Sequence, residues 1–228
     1  MSAEANAQAW GLPRVMDFFA HHRDSTSEIY PSEWFFLKDR LREGTSVLDI
    51  GCAQGGFAKV LAEHVRDFRY TGLDVNPAMI EAARTRFPQH RFECVPEGEA
   101  GPIGEERFDL VLVLGILHLH ERWRDTLAAG WRHTLGALVF DLRETEGATI
   151  EDKGRSSFHM DFNGGDEGHQ NAALPYIVLN AGEALAEARR LLPGCDNLAR
   201  YGYLHPPSKA ARTPLERVMT TVYCAQRS

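Results

Sequence analysis

The chain has 228 residues, 43% of them hydrophobic and 25% charged, with a formal net charge of −7. That balance suits one soluble α/β domain with a small appendage and excludes a disordered or fibrous chain. An acidic surface repels phosphate backbones, which excludes nucleic acid as the default partner, and no apolar run reaches the roughly 18 residues of a membrane span.

The first 45 residues read as helical. "LPRVMDFFAHH" places Leu12, Val15, Met16 and Phe19 at helical spacing. "YPSEWFFLKDRL" offers Ser32 as an N-cap before Trp34, Phe35 and Leu37. From Ser46 the rhythm changes to alternating strands and helices: "SVLDIG", then the helix "FAKVLAEHV", the strand "YTGLDV", and the helix "PAMIEAARTRF" opened by Pro77. "RFECV" follows as a third strand. "FDLVLVLG" is apolar throughout, as a strand buried on both faces is. The helix "ERWRDTLAAGWRHT" and the strand "ALVFDL" complete the series. Such alternation predicts a doubly wound parallel sheet with helices on both faces. After Leu142 the order breaks into a long polar, glycine-rich stretch to about residue 176, in which "ATIEDKG" and "SSFHMDF" could pair as a hairpin. "AGEALAEARRLL" resumes as a helix. "NLARYGYL" and "RVMTTVYCAQ" are two final strands, expected to be antiparallel because the link between them is too short for a helical crossover. The expected organisation is a helical cap over residues 1–45 and a sheet domain over 46–228, with an insertion at about 143–176.

The chemistry concentrates in "VLDIGCAQGGFA", residues 47–58. A strand ends in Asp49 and passes at once into a turn containing Gly51, Gly55 and Gly56. Ligands of open α/β sheets bind beyond the carboxyl ends of the strands, where glycines let backbone approach them. "GCAQGG" fits a degenerate dinucleotide fingerprint, with Ala53 at the second glycine. Asp49 argues against a pyrophosphate, which it would face with like charge, and suits an ammonium group instead. Asp74 ends the second strand 18 residues after Gly56, where a carboxylate accepts hydrogen bonds from ribose hydroxyls. Ribose plus ammonium describes S-adenosylmethionine. The plainer alternatives are that Asp49 caps the following helix, that Asp74 is an ordinary loop acid, and that Cys52 packs as a small residue in the turn.

The stretches "VLDIGCAQGG", "YTGLDVNPAMIEAAR" and "FDLVLVLGILHL" occur in order and at family-like spacing. Together they resemble the class I S-adenosylmethionine-dependent methyltransferases over about residues 46–142. The resemblance implies a Rossmann-like, mostly parallel seven-stranded sheet with a terminal antiparallel strand. By position it implies that Asp49 and Gly51 contact the methionine part, within a turn that also includes Cys52, Ala53 and Gly55. It sets Asp74 on the ribose with Val75 beside the adenine, and Leu114 and Gly115 under the sulfonium. Where the family often has an Asp near the adenine amino group, this chain has "CVPEGEAG", with Glu97 as the match. Segments such as the one holding Tyr30, Trp34, Phe35 and Phe36 often lie over the cofactor in this family, so Tyr30 is a further candidate contact.

Methyl transfer from a sulfonium is an in-line displacement, and the protein positions the acceptor and removes a proton where one must leave. Candidates for that task are His118 and His120 after the fourth strand, Asp141 and Arg143 at the fifth, and His159 and Asp161 in the insertion. His159 and His118 are named as catalytic candidates, the first because the family's polar insertions often form the substrate pocket. His118 also has a structural alternative, and His159 one as an exposed loop histidine. The carboxylates near the fourth and fifth strands make a poor hard-cation site, and no metal is expected. Cys52, Cys94, Cys195 and Cys224 form no C-x-x-C pair, so reduced thiols are expected. Residues 1–14 lack a secretory pattern. The expectation is therefore a cytoplasmic enzyme, with a homodimer as a candidate assembly, that methylates a small hydroxylated molecule such as a sugar or secondary metabolite. It is expected to use neither nucleic acid nor membrane. The rivals are a methyltransferase-like binding protein without catalysis and an NAD-dependent oxidoreductase.

Overall fold

The computed structural model describes residues 10–11, 13–23, 25–159 and 173–227. Leu12 and Asp161 lie outside them. Helix α1 covers Pro13–Ala20 and α2 covers Pro31–Leu37. Pro31 takes the first helical position of α2, where its missing N–H costs nothing. The cap is therefore Tyr30, and Ser32, expected in that role, falls inside the first turn.

Five parallel strands follow. β1 is Thr45–Ile50, β2 is Phe68–Asp74, β3 is Arg91–Cys94, β4 is Phe108–Val113 and β5 is Thr134–Thr145. Helices α3 (Gly56–Ala62), α4 (Pro77–Arg86) and α5 (Trp123–Arg132) alternate with them. The break read after Leu142 comes three residues later, because β5 continues to Thr145 along its antiparallel neighbour. Beyond it lie β6 (Ser157–His159), β7 (Ala173–Pro175), β8 (Leu179–Asn180) and α6 (Ala181–Leu191). The last strands are β9 (Asn197–His205), β10 (Ala211–Arg212) and β11 (Val218–Gln226).

The main sheet runs β3-β2-β1-β4-β5-β11-β9. β11 is antiparallel to both of its neighbours, so β9 runs with the first five. The seven expected strands are present, and the two-residue β8, paired with the end of β5, adds an eighth. Among the described residues, "ATIEDKG" and "SSFHMDF" do not pair as the expected hairpin. Asp152 closes a turn there, its carbonyl accepting the Arg155 and Ser156 N–H groups and its side chain that of Gly154 at 2.8 Å. β6 instead pairs with β7 and β10 in a separate three-stranded sheet.

Alternation along the apolar strands divides the core between two faces. Leu48, Val111, Val113, Leu138 and Phe140 pack against α5 and α6 with Trp123 and Trp131. Val47, Leu110, Leu112 and Val139 pack on the other side with Phe57, Leu61, Phe36 and Leu37. Each such side chain contributes about 1.5–3 kcal/mol by leaving water. A third cluster joins Val15 of α1 to Met79, Leu119, Leu174, Tyr176 and Val218, and so ties the N-terminal helix to the insertion above the strand ends. At the opposite end of the sheet Asp109 accepts the Ser46 N–H at 2.8 Å and its hydroxyl at 2.6 Å, locking β1 to β4. No helix among the described residues is long and apolar enough to cross a membrane.

Candidate active site

A cavity of about 650 Å³ opens over the carboxyl ends of β1, β4 and β5. One end is the glycine turn. Gly51 has φ +85°, and its N–H donates to the Leu73 carbonyl at 2.7 Å. A Cβ at Gly51 would stand 2.7 Å from Ile116 Cγ2, so only glycine leaves that turn open. Ala53 also takes a left-handed conformation, φ +46°, and its N–H donates to Asp74 Oδ2 at 2.9 Å. The other Asp74 oxygen accepts the Asn76 N–H at 2.9 Å. The ribose carboxylate of the sequence reading thus also braces the turn.

Asp49 is buried and lines the cavity. It accepts the Tyr70 hydroxyl at 2.5 Å, and burial pushes its carboxyl up to about 6. Such a group gains from a cation arriving beside it. Cys52 lines the same wall, with its thiol against Gly72, and burial holds that thiol well above its ordinary range. Val75, Glu97, Leu114, Gly115 and Tyr30 line the cavity too. Gly55 does not. Its φ of +78° caps α3, and a Cβ there would meet the rings of Phe92 and Phe87.

The histidines separate by place. His118 and His120 are buried in the cavity wall, and each has an Nδ1 with no hydrogen-bond partner. Burial pushes His118 well below its ordinary value, and His120 to about 4, so both are neutral near pH 7. His120 Nδ1 lies 3.8 Å from Glu97 Oε2. His159 is not among the lining residues. β6 alternates, so Phe158 faces the cavity while His159 Nε2 meets Ser157 Oγ at 3.1 Å.

From Asp49 toward the end of β5 the cavity holds charge that local sequence did not reveal. Arg23, in a left-handed turn after α1, pairs with the buried Glu33 of α2. Its guanidinium stacks 5.0 Å from the Phe57 ring and 5.8 Å from that of Tyr30. The Arg23 carbonyl lies 2.8 Å from where a Cβ of Gly56 would be, which is why α3 opens on glycine. Asp141 accepts the Gly115 N–H and pairs with Arg143. Burial raises Glu33, and the Arg23 charge opposes that shift. Arg143 faces Tyr176, Tyr203 and His205, which line the cavity with Thr220. Asp141 and Arg143 were among the sequence candidates. Arg23, Glu33, Tyr203, His205 and Thr220 were not, and only strand register could have suggested the last three. Among the described residues no group of three or more His, Cys, Asp or Glu could hold a metal ion.

Residues 48–136 match a family described as a methyltransferase domain. Over 83 residues the chain is 40% identical to a fatty-acid O-methyltransferase of Mycolicibacterium smegmatis, a match covering 36% of this chain and 30% of that enzyme. The chain therefore matches about a third of that relative's length. Among solved structures it is similar to the 1,6-didemethyltoxoflavin N1-methyltransferase of Burkholderia thailandensis, bound to its substrate and S-adenosylhomocysteine. The TM-score is 0.63 at 18% identity, over 100% of this chain and 88% of that one. It is equally similar, at TM-score 0.63 and 13% identity, to the [4+2]-cyclase SpnF, over 100% of this chain and 97% of that one.

Proposed function

We propose that this chain, a class I S-adenosylmethionine-dependent methyltransferase by its fold and by the family matched over residues 48–136, transfers a methyl group to an oxygen of a small hydroxylated molecule. One observation carries the reading. A single cavity joins the bare Gly51 turn, flanked by Asp49 and Asp74, to a polar floor of Arg143, Tyr176, Tyr203, His205 and Thr220.

S-adenosylmethionine supplies an already activated methyl group, so the protein's work is placement and proton removal. Asp49 would hold the ammonium of the methionine part, and Arg23 its carboxylate. Asp74 would hold the ribose, with Val75 and Glu97 toward the adenine. Gly51, Cys52 and Ala53 would form the close backbone wall, Leu114 the floor, and Tyr30 the cover. The donor set fits the group: an acid for the cation, an arginine for the anion, and a turn that a Cβ would fill. His118 would serve the acceptor as a neutral contact. The name of the fatty-acid relative supports an oxygen acceptor.

Calorimetry with S-adenosylhomocysteine and with NAD tests the first half. The homocysteine compound is expected to bind and NAD not to; the reverse result ends the reading. Methyl transfer to phenols and to methyl α-D-glucopyranoside tests the second half. Binding without turnover on any hydroxyl would favour the rival reading, a protein that uses the fold for something else, and the similarity to a cyclase gives that rival its footing.

A further inference from the structure

The register of the last three main-sheet strands sets a row of side chains on one face. Thr220 of β11 stands opposite Arg143 of β5 on one side and opposite Tyr203 of β9 on the other. His205 follows Tyr203 by two residues and so shares its face. All four line the cavity.

The hydrogen bonds of His205 assign its tautomer. Nδ1 lies 2.7 Å from the Pro206 carbonyl oxygen, which only accepts, so Nδ1 carries the proton. Nε2 is then a bare acceptor, and Thr220 Oγ1, 2.7 Å away, donates to it. Thr220 is 3% exposed. With its proton directed at His205, the hydroxyl oxygen has two lone pairs: one meets the Tyr203 hydroxyl, which is hydrogen-bonded to Thr220, and the other is available to a donor such as the hydroxyl of a bound acceptor.

We propose that Thr220 and His205 form a two-residue proton relay for the acceptor. The proposal rests on the hydroxyl-methylation reading above. The acceptor O–H donates to Thr220 Oγ1, and Thr220 donates to His205 Nε2. As the acceptor oxygen bonds to the methyl carbon, the carbon–sulfur bond breaks and sulfur keeps its electron pair. The acceptor proton moves to Thr220 and the Thr220 proton to His205. The resulting imidazolium is held by its Nδ1–H on Pro206, and half-buried His205 returns the proton to water. Thr220 is the catalytic contact, and His205 acts through it. Burial, Arg143 and Arg217 lower the His205 pKa, and the Pro206 carbonyl opposes them. Tyr203, whose ring lies 5.2 Å from that of His205 and whose hydroxyl is hydrogen-bonded to Thr220, shares this face. His205 is thus neutral and able to accept near pH 7.

The test uses the full chain with 15N-labelled histidine and saturating S-adenosylhomocysteine. NMR at pH 7.5 is expected to show neutral His205 protonated at Nδ1, with its Nε2 signal displaced in Thr220→Val. A proton on Nε2 overturns the relay. Turnover with S-adenosylmethionine then compares phenol, 4-nitrophenol and methyl α-D-glucopyranoside as probes. Thr220→Val and His205→Gln are expected to lower kcat on phenol by about 100-fold, the scale of general-base catalysis. They should lower turnover of 4-nitrophenol, which ionises unaided near neutral pH, far less than that of phenol, and Thr220→Ser should restore phenol turnover. The wild-type phenol rate should fall as pH drops through the His205 pKa, and this inflection should vanish in His205→Gln. Equal losses on both phenols, or an unaltered pH profile, overturn the relay alone and leave a structural tie between strands. No methylation of any probe, with S-adenosylhomocysteine still bound, overturns the hydroxyl-methylation reading and the relay's task together.

Discussion

The two ends of the cavity are built from different lengths of chain. The glycine-turn end draws its defining groups from residues 49–74, one strand-turn-helix-strand unit, and backbone N–H groups do much of the bracing. The far end gathers Asp141, Arg143, Tyr203 and Thr220 from three strands, and the Arg23–Glu33 pair of two N-terminal segments spans from Asp49 to Asp141. The first is a local device, braced within one unit of the chain. The second exists only when the sheet is complete and the N-terminal helices have docked, so it couples binding chemistry to global stability.

The largest expected effect breaks the pair that joins the two ends. Glu33→Ala leaves the Arg23 guanidinium buried without its partner, and removing one member of a buried pair costs about 3–5 kcal/mol. Urea unfolding should show that loss in full. A change below about 1 kcal/mol would mean that solvent or Asp141 already neutralises Arg23, and that the two ends are less different than the geometry implies.

Asp74→Ala strikes the local end. It should weaken S-adenosylhomocysteine binding by about 1.5–3 kcal/mol, the range for a hydrogen bond to a charged group, as read by calorimetry. Because Asp74 also accepts the Ala53 and Asn76 N–H groups, the unliganded melting temperature should fall as well. Unchanged affinity would remove Asp74 from the cofactor's contacts and leave it a brace of the turn.

The smallest effect is a pH dependence. Asp49 has a folded-state pKa raised from 3.8 to about 6 by burial. Its contribution to the stability of the empty protein is therefore fully present below about pH 4 and is lost as pH rises through 6. A bound ammonium reverses this by favouring the carboxylate. Affinity for S-adenosylhomocysteine should thus fall about tenfold between pH 7 and pH 5, and the melting-temperature gap between loaded and empty protein should widen as pH rises. A flat affinity over that range would show that Asp49 does not meet the cation.

The sequence by itself determined the parallel sheet, the order of its first five strands and helices, the antiparallel final pair and the acid-flanked glycine turn. These follow from periodicity and from residues adjacent in the chain, where a local rule is enough: alternation for strands, Pro77 to open a helix, Gly51 for a left-handed bend. Tertiary structure decided the rest. "HHRDST" gives no sign that Arg23 turns back beneath Tyr30, and "SSFHMDF" does not disclose that Phe158, rather than His159, faces the cavity. Nor does the spacing of Arg143, Tyr203, His205 and Thr220 reveal one surface. Each depends on which strands become neighbours and in what register, and a one-residue slip would turn every one of those side chains to the other face.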